Sequence, residues 1–312
     1  MAVSNTKIDF AIVGKPKCGT TALARFLEEH PDICMSKPKE PNYFSTDLTE
    51  ISDRYHGYKK YFPIRTPEGY SKCFSHCEPG QTKGEASPRY LSSDQSAYNI
   101  HKHNPATKII IMIRNPVDFM YSAHRQLVTS CIEDVDSFEE ALKLEKMRKK
   151  GENIPKGARY PSHFIYTERA KYYKELKRYL DVFPREQILV LTNEEFKKDN
   201  QKHYMRTLEF LDVNKSYRPN FKLVNSSKAP RFRSLNRLYN NPWIKRNLYR
   251  IVGPSLFEKL ARLGRKIVLK DKRREPLSQD LRRELEQKLM PDIKRTSQLL
   301  NRDLVSEWGI GE

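Results

Sequence analysis

A strand-like run that passes through a glycine-containing turn into a helix-like segment limits the fold of this chain more than any other feature. The stretch FAIVGKPKCGTTALARFL covers residues 10–27. Residues 8–13 are mostly apolar and suit a buried strand, while Leu23 and Phe26 share one helical face that stops before Pro31. A turn between such a strand and helix presents backbone N–H groups to an anion. The stretch therefore predicts a phosphate-binding loop in an α/β fold.

The two glycines of this turn have the spacing of the nucleotide-binding pattern G-x-x-x-x-G-K-[ST]. Thr20 and Thr21 follow the second glycine in place of Lys-Ser, and the lysine lies inside the loop, at Lys15 or Lys17. The pattern indicates an anion site that differs from an ATP site.

A second anion site is predicted at the end of another strand. Residues 108–113 and 187–192 read as strands, and residues 168–183 between them read as a helix that ends at Pro184. Strands that alternate with helices imply a parallel sheet, whose ligands bind beyond the carboxyl ends of the strands. Arg114 stands at such an end, where a kinase would show an acidic magnesium ligand, and Ser122 follows in the next helix. Two phosphate sites without a magnesium carboxylate indicate a nucleotide phosphorylated at two places.

Length and cysteine usage define the expected class of protein. With 312 residues, 38% of them hydrophobic, the chain can form one large domain, and no apolar run reaches the length of a membrane span. We read a soluble, cytoplasmic protein. Its five cysteines are an odd number without a secretory signal, so we expect reduced thiols. Cys73, His76 and Cys77 lack a second ligand pair at metal-site spacing, so we predict no metal.

The net charge of +19 is concentrated late in the chain. Residues 228–274 hold fifteen lysines and arginines against two acidic residues. Such a field attracts nucleic acid, acidic glycan, a phosphorylated cofactor or a membrane surface. Within it, residues 243–263 alternate apolar residues with cations, as interfacial helices do. Peripheral membrane contact therefore stays open.

Over most of its length the chain resembles the sulfotransferases that use 3'-phosphoadenosine 5'-phosphosulfate. The loop from Lys17 to Thr21 resembles their 5'-phosphosulfate loop, and Arg114 with Ser122 has the spacing of their 3'-phosphate site. Residues 39–44, KEPNYF, resemble the segment that carries the catalytic glutamate in heparan-type and many bacterial members. Residues 172–191 resemble the helix-strand unit that follows. The nearest relatives are expected to be bacterial.

The resemblance implies a three-layer, P-loop-like α/β fold with a central parallel sheet flanked by helices. It implies a single domain over residues 1–312, in which about 225–312 form a donor-covering loop and a basic helical extension. Glu40 corresponds to the general base and Lys17 to the residue that neutralises the leaving phosphate, and no metal is required. The implied donor-binding residues are Lys15, Lys17, Cys18, Gly19, Thr20, Thr21, Arg114, Ser122, Ser227, Lys228 and Arg231.

Two departures from the family pattern concern the site. Ala86 stands where heparan-type enzymes carry a second lysine, and either Lys83 or Arg89 could replace it. The late loop is matched only by residues 225–233, NSSKAPRFR. His124 is the rival base, although a packed or surface histidine is the more ordinary interpretation.

Three functions are compared on this basis. The favoured one is transfer of a sulfuryl group to a hydroxyl or amine of a carbohydrate or small metabolite, with no nucleic acid as partner. The alternatives are a kinase-type phosphotransferase and a non-catalytic binder of anionic polymers or membranes. The acceptor and the oligomeric state stay open.

Overall fold

The computed structural model describes residues 6–221, 228–230, 269–271 and 276–311. Five strands form one sheet, in the spatial order β2-β3-β1-β4-β5, and every neighbouring pair is parallel. A separate pair, β6 and β7, is antiparallel. The strands are β1 (Phe10–Gly14), β2 (Ile33–Met35), β3 (Thr82–Ala86), β4 (Lys108–Ile113), β5 (Ile188–Thr192), β6 (Lys228–Pro230) and β7 (Leu269–Asp271).

Helices connect the strands and flank the sheet. Among the described residues they are α1 (Thr20–Glu28), α2 (Thr46–His56), α3 (Pro67–Lys72), α4 (Ser96–His103), α5 (Pro116–Thr129), α6 (Phe138–Lys143), α7 (Glu145–Arg148), α8 (Tyr166–Arg169), α9 (Tyr173–Leu180), α10 (Asn193–Lys198), α11 (Asn200–Leu211), α12 (Gln279–Leu300) and α13 (Leu304–Glu307). The central strands are buried along almost their whole length, as expected for a parallel sheet covered on both faces. The predicted α/β fold, with a helical C-terminal part, is confirmed.

The position of β1 between β3 and β4 brings the predicted loop and Arg114 to the same edge of the sheet. After β1 the chain forms β2 and then β3 on one side of β1, and it next forms β4 on the other side. The backbone N–H of Lys15 donates to the carbonyl of Met112, 2.6 Å away, which joins the loop after β1 to the end of β4. Ligands bind at such a switch in strand order.

The helix predicted over residues 168–183 is divided in the structure into α8 and α9. The backbone N–H of Tyr172, at the start of α9, donates to Oδ2 of Asp292, 2.7 Å away on α12. The Tyr172 hydroxyl in turn donates to the carbonyl of Arg114 at 2.9 Å. A cap supplied from a distant helix is invisible to local periodicity, so the single-helix prediction is wrong at this point.

The described residues form two compact units. The first comprises residues 6–120, 167–221 and 282–311 and contains the five-stranded sheet. The second comprises residues 121–166, 228–230, 269–271 and 276–281. Its buried Arg148 forms two 2.7 Å contacts with Glu133, which also accepts from the hydroxyl of Tyr166. The single-domain organisation stays a prediction.

Two of the cysteines form a disulfide, so the prediction of reduced thiols is wrong for Cys34 and Cys77. Cys34 lies in β2, and the segment after α3 brings Cys77 to a Cα–Cα distance of 5.6 Å. The two are 43 residues apart, a separation that sequence spacing alone does not reveal. Cys18, Cys73 and Cys131 lie outside this disulfide. The cytoplasmic location stays a prediction.

In the part of the chain that the structure describes, no helix is both long and apolar enough to cross a bilayer. Residues 243–263, with their interfacial pattern, lie outside the described residues, as does most of the basic stretch. The prediction of membrane contact falls on those residues.

Candidate functional site

The loop after β1 ends in Gly19, which precedes α1 in the left-handed region at φ +100°. A Cβ atom at this position would lie 3.0 Å from Nδ2 of Asn193 and from Cε of Met112, so another residue would crowd these side chains and strain the backbone. Gly19, the N-cap residue of α1, has no side chain with which to cap the helix. The first N–H groups of α1 and the positive end of the helix dipole can therefore meet an anion.

The two loop lysines have different environments. Lys15 is fully buried; its Nζ lies 2.5 Å from Oε2 of Glu175 and faces the rings of Phe119 and Tyr172 at 5.3 and 5.1 Å. Burial lowers the pKa of Lys15, although Glu175 opposes the shift. The ammonium of Lys15 is thus enclosed by its partners, and its contact with a phosphate stays a prediction. Lys17 is half-buried at φ +68°, and its phosphate contact likewise stays a prediction.

The three residues around the start of α1 differ in exposure. Burial raises the pKa of Cys18 to about 12, against the effect of Arg114 and Lys15, so its thiol is neutral and enclosed. Thr20 is also buried. Thr21 is half-buried, and its Oγ1 accepts a hydrogen bond from Nζ of Lys39 at 3.1 Å. Thr21 therefore connects the loop to the segment that contains Glu40.

Glu40 lies between two cations at this edge of the sheet. Its Oε1 is 3.1 Å from Nζ of Lys39 and its Oε2 is 2.9 Å from Nη1 of Arg89. Burial raises the pKa of Glu40, but the charges of Arg89 and Lys39 outweigh it, and the net shift is downward. Glu40 is therefore an ionised carboxylate. Because 34% of its side chain is exposed, a substrate can reach it. The two cations thus keep Glu40 in the deprotonated form that a base requires, while they also lower its basicity.

The structure places Arg89, and not Lys83, beside Glu40. Lys83 lies near the amino end of β3, where it pairs with Cys34 and its N–H donates to Oδ2 of Asp9 at 2.6 Å. That is the opposite edge of a parallel sheet from the loop. Arg89 thus supplies the positive charge that Ala86 cannot.

Arg114 occupies the predicted position at the carboxyl end of β4. Its Nη2 is 3.2 Å from Oδ2 of Asp118, and its Nε is 3.8 Å from Oε1 of Glu194. Arg282 on α12 contacts the other oxygen of Asp118 at 2.6 Å. The buried Nε of Arg114 has no hydrogen-bond partner among the described residues. The guanidinium is thus held between two carboxylates, and its contact with a 3'-phosphate stays a prediction.

Two helix residues after Arg114 belong to the second unit. Ser122 is buried in α5, and its role at the 3'-phosphate stays a prediction. His124 is fully buried; its Nε2 lies 2.9 Å from the carbonyl of Val135, and its ring packs against Phe138 and Tyr166. Burial lowers its pKa. The interpretation of His124 as a packed histidine is confirmed.

Three of the expected donor-binding residues belong to the predicted late loop. Lys228 lies in β6 opposite Asp271, while Ser227 and Arg231 lie outside the described residues. Within those residues, one potential metal-ligand group has its donor atoms within 4.8 Å of one another: Cys34, His76 and Cys77. Its two sulfurs are bonded to each other.

Sequence reasoning missed a buried carboxylate close to the base segment. Glu85 lies in β3 next to Ala86 and is fully buried, and burial raises its pKa to about 7, even though three hydroxyls oppose the shift. A glutamate before a small residue gives no pattern of its own. Its partners come from other elements, so the sequence held no local signal for it.

Comparison with known proteins agrees with this geometry. The sequence matches the sulfotransferase domain family over residues 7–242. Carbohydrate sulfotransferase 15 of Mus musculus is 24% identical over 299 residues, which cover 78% of this chain and 51% of that protein. Heparan sulfate glucosamine 3-O-sulfotransferase 6 of Mus musculus is 31% identical over 118 residues, 38% of this chain and 30% of that protein. The chain thus matches about half or less of these relatives.

A solved sulfotransferase from Alicyclobacillus acidocaldarius has the same fold, with a TM-score of 0.70 at 28% identity. The match covers 97% of this chain and 99% of that one. The family match includes β1 to β5, the loop, Glu40 and Arg114, and therefore more than half of the chain. This chain belongs to the sulfotransferase domain family.

Proposed function

We propose that this protein transfers a sulfuryl group from 3'-phosphoadenosine 5'-phosphosulfate to a hydroxyl or amine of a carbohydrate or small-metabolite acceptor. The observation that carries the proposal is Glu40, an ionised carboxylate held by Arg89 and Lys39, with Lys39 also bound to Thr21 at the anion-binding start of α1. A base and a phosphate loop joined in this way are what sulfuryl transfer requires.

Two features of this chain fit a donor that has phosphate groups at both ends of its ribose. The start of α1, whose N-cap residue is Gly19, suits the 5'-phosphosulfate, and the planar guanidinium of Arg114 at the end of β4 suits the 3'-phosphate. The donor supplies the activated sulfur. The residue that directly follows β4, where a phosphotransferase would show its magnesium carboxylate, is the cation Arg114, and the nearby carboxylates of Asp118 and Glu194 are paired with it.

In the proposed reaction, Glu40 takes the proton of the acceptor hydroxyl as its oxygen bonds to sulfur. The bond between sulfur and the bridging phosphate oxygen breaks, and its electron pair leaves with 3',5'-phosphoadenosine. Lys17 and the N–H groups at the start of α1 stabilise the charge that develops on this phosphate. The protonated Glu40 then returns its proton to water, and no covalent enzyme intermediate forms.

The acceptor class rests on the relatives and on local charge. The names of the two Mus musculus relatives specify carbohydrate and heparan sulfate glucosamine as what those proteins act on. Lys39 and Arg89 beside Glu40 suit an acceptor with anionic substituents. Both lines support a glycan over an uncharged metabolite.

The two alternatives have less support. The kinase-type alternative lacks the acidic ligand at the end of β4. The polymer-binding or membrane-binding alternative rests on residues 243–263, outside the described residues. Oligomeric state and membrane contact stay predictions.

The proposal is tested by incubating the protein with sulfur-labelled donor and a panel of acidic glycans, neutral oligosaccharides, small alcohols and amines, followed by mass analysis for added sulfate. Wild type and Glu139→Gln, which changes an exposed carboxylate on α6, should transfer equally. Glu40→Gln should be slower by about 10²-fold to 10⁴-fold, because an amide cannot accept the proton. A near-normal rate for Glu40→Gln would overturn the assignment of the base.

A further inference from the structure

The buried carboxylate of Glu85 accepts three side-chain hydrogen bonds. Tyr70 and Tyr90 place their hydroxyls 2.7 and 3.0 Å from its Oε1, and Ser87 places its hydroxyl 2.7 Å from its Oε2. The proposed reaction uses none of these four residues directly. A fully buried carboxylate surrounded by hydroxyls needs a reason to be retained.

The direction of these hydrogen bonds gives that reason. An ionised carboxylate only accepts, so the hydroxyls of Ser87 and Tyr90 must both point their hydrogens at Glu85. Each hydroxyl oxygen is then left as an acceptor on its other side. Oγ of Ser87 accepts from the backbone N–H of Asn42 at 3.1 Å, and the Tyr90 hydroxyl oxygen accepts from the N–H of Phe44 at 3.3 Å.

The two anchored backbone groups belong to the segment that begins with the base. Glu40 and Asn42 both have left-handed backbones, at φ +60° and +53°, a conformation that non-glycine residues keep only when their surroundings enforce it. Nδ2 of Asn42 also donates to the carbonyl of Glu40 at 2.6 Å. Fixing Asn42 and Phe44 therefore fixes the backbone of Glu40.

Residues 87–90 contact both the side chain of Glu40 and the backbone of the segment that follows it. Arg89, the partner of the Glu40 carboxylate, lies between Ser87 and Tyr90, the two residues that bind Glu85 and the base segment. The Glu40 carboxylate and its backbone are thus both held by residues 87–90.

We propose that Glu85 is a positioning residue for the general base: it orients the hydroxyls of Ser87 and Tyr90 as acceptors for the N–H groups of Asn42 and Phe44, and so holds Glu40 against Arg89. The inference rests on the proposed function of Glu40 as the base.

Tyr70 and Tyr90 make a matched pair for the test. Both are buried tyrosines that donate to the same oxygen of Glu85, but only the hydroxyl of Tyr90 also binds the base segment. Tyr90→Phe and Tyr70→Phe each remove one hydroxyl and keep the ring. If Glu85 has only a structural role, the two variants should have similar effects on the reaction.

The assays compare kcat, the acid limb of kcat/KM and the affinity for 3',5'-phosphoadenosine. For kcat we use about pH 8, where Glu85 is ionised. We expect Tyr90→Phe to lower kcat by roughly tenfold, the effect of losing one buried hydrogen bond. Its acid limb should move upward, because Glu40 is less well aligned with Arg89. Tyr70→Phe should stay within about twofold of wild type in kcat. Donor affinity should be unchanged in both variants.

Ser87→Ala removes the other acceptor of the base segment and should match Tyr90→Phe, which keeps the test decisive if Tyr90→Phe does not fold. Tyr70→Phe is compared with Tyr90→Phe or Ser87→Ala, whichever of these two folds. If the two compared variants have equal kcat while Glu40→Gln is inactive, the positioning role of Glu85 is overturned and Glu40 remains the base. Activity in Glu40→Gln would instead remove the base, and the inference with it.

Discussion

Lys15 and Lys17 show how two identical residues in one loop take different functions from their surroundings. The ammonium of Lys15 is fully buried against Glu175, whereas Lys17 is half-buried in the turn before Gly19. The charge of Lys15 balances a buried carboxylate and supports the fold. In the proposed reaction, Lys17 stabilises the charge that develops on the departing phosphate.

Replacing each lysine separately should distinguish an effect on the rate of sulfuryl transfer from an effect on the stability of the fold. Lys17→Ala should lower the single-turnover rate by roughly 100-fold to 1000-fold, as loss of one preorganised donor does. Lys15→Met leaves Glu175 without its partner and should lower the free energy of unfolding by about 3–5 kcal/mol. Urea denaturation and rapid-quench assays measure both. A stable but slow Lys15→Met, beside an unaffected Lys17→Ala, would reverse the two assignments.

Arg89 should control the pH dependence of the base. Burial raises the pKa of Glu40, and the charges of Arg89 and Lys39 bring it below its ordinary value. Arg89→Ala removes one lowering effect and keeps burial, so the pKa of Glu40 should rise and the acid limb of kcat/KM should move to higher pH. Arg89→Lys keeps the positive charge and should move the acid limb less than Arg89→Ala does. An acid limb that stays in place in Arg89→Ala would show that another group titrates there.

At the scale of elements, short-range patterns located the strands and missed the contacts between distant segments. The predicted strand over residues 108–113 agrees with β4, because consecutive apolar residues signal a buried strand wherever they lie. The break between α8 and α9 depends on Asp292, and the disulfide depends on the segment that brings Cys77 to Cys34. Glu85 was missed because its partner Tyr70 lies 15 residues away on α3, while its nearer partners, Ser87 and Tyr90, form no recognisable sequence pattern with it.

The disulfide should stabilise the edge of the sheet that leads to Glu40. Cys34 in β2 lies shortly before Glu40, and the bond closes a loop of 43 residues. The Cys34→Ser, Cys77→Ser double variant should lose about 2–4 kcal/mol of unfolding free energy relative to the oxidised protein. Cys131→Ser, which changes a cysteine outside the disulfide, is the control. Alkylation of all five cysteines in the unfolded, unreduced protein would show that the bond is absent.

For the whole molecule, side chains and backbone N–H groups supply the positive charge at the site. Lys17, Arg114 and the start of α1 meet the phosphates in the proposed reaction, and the net charge of +19 favours anionic ligands generally. The loop and the arginine could be predicted from sequence because each directly follows a recognisable strand. The arrangement of Glu40 with Arg89 could not, because it requires the pairing of β2 beside β3.

Sulfate transfer should therefore survive removal of divalent metal. We expect the same rate before and after treatment with a chelator, because cationic side chains replace the magnesium of a phosphotransferase. The rate is measured with labelled donor after exhaustive dialysis against the chelator. Loss of activity that magnesium restores would favour the kinase-type alternative.

Calorimetry with 3',5'-phosphoadenosine and 5'-AMP tests the central claim most directly, since the two ligands differ only in the 3'-phosphate. We predict that wild type binds 3',5'-phosphoadenosine tighter by about tenfold or more, the value of a charge-assisted hydrogen bond to an arginine. In Arg114→Gln, the ratio of the two affinities should be smaller than in wild type. The melting temperature of this variant is measured to show that it is folded. Equal affinity of wild type for the two nucleotides would contradict the assignment of Arg114 and, with it, the proposed donor.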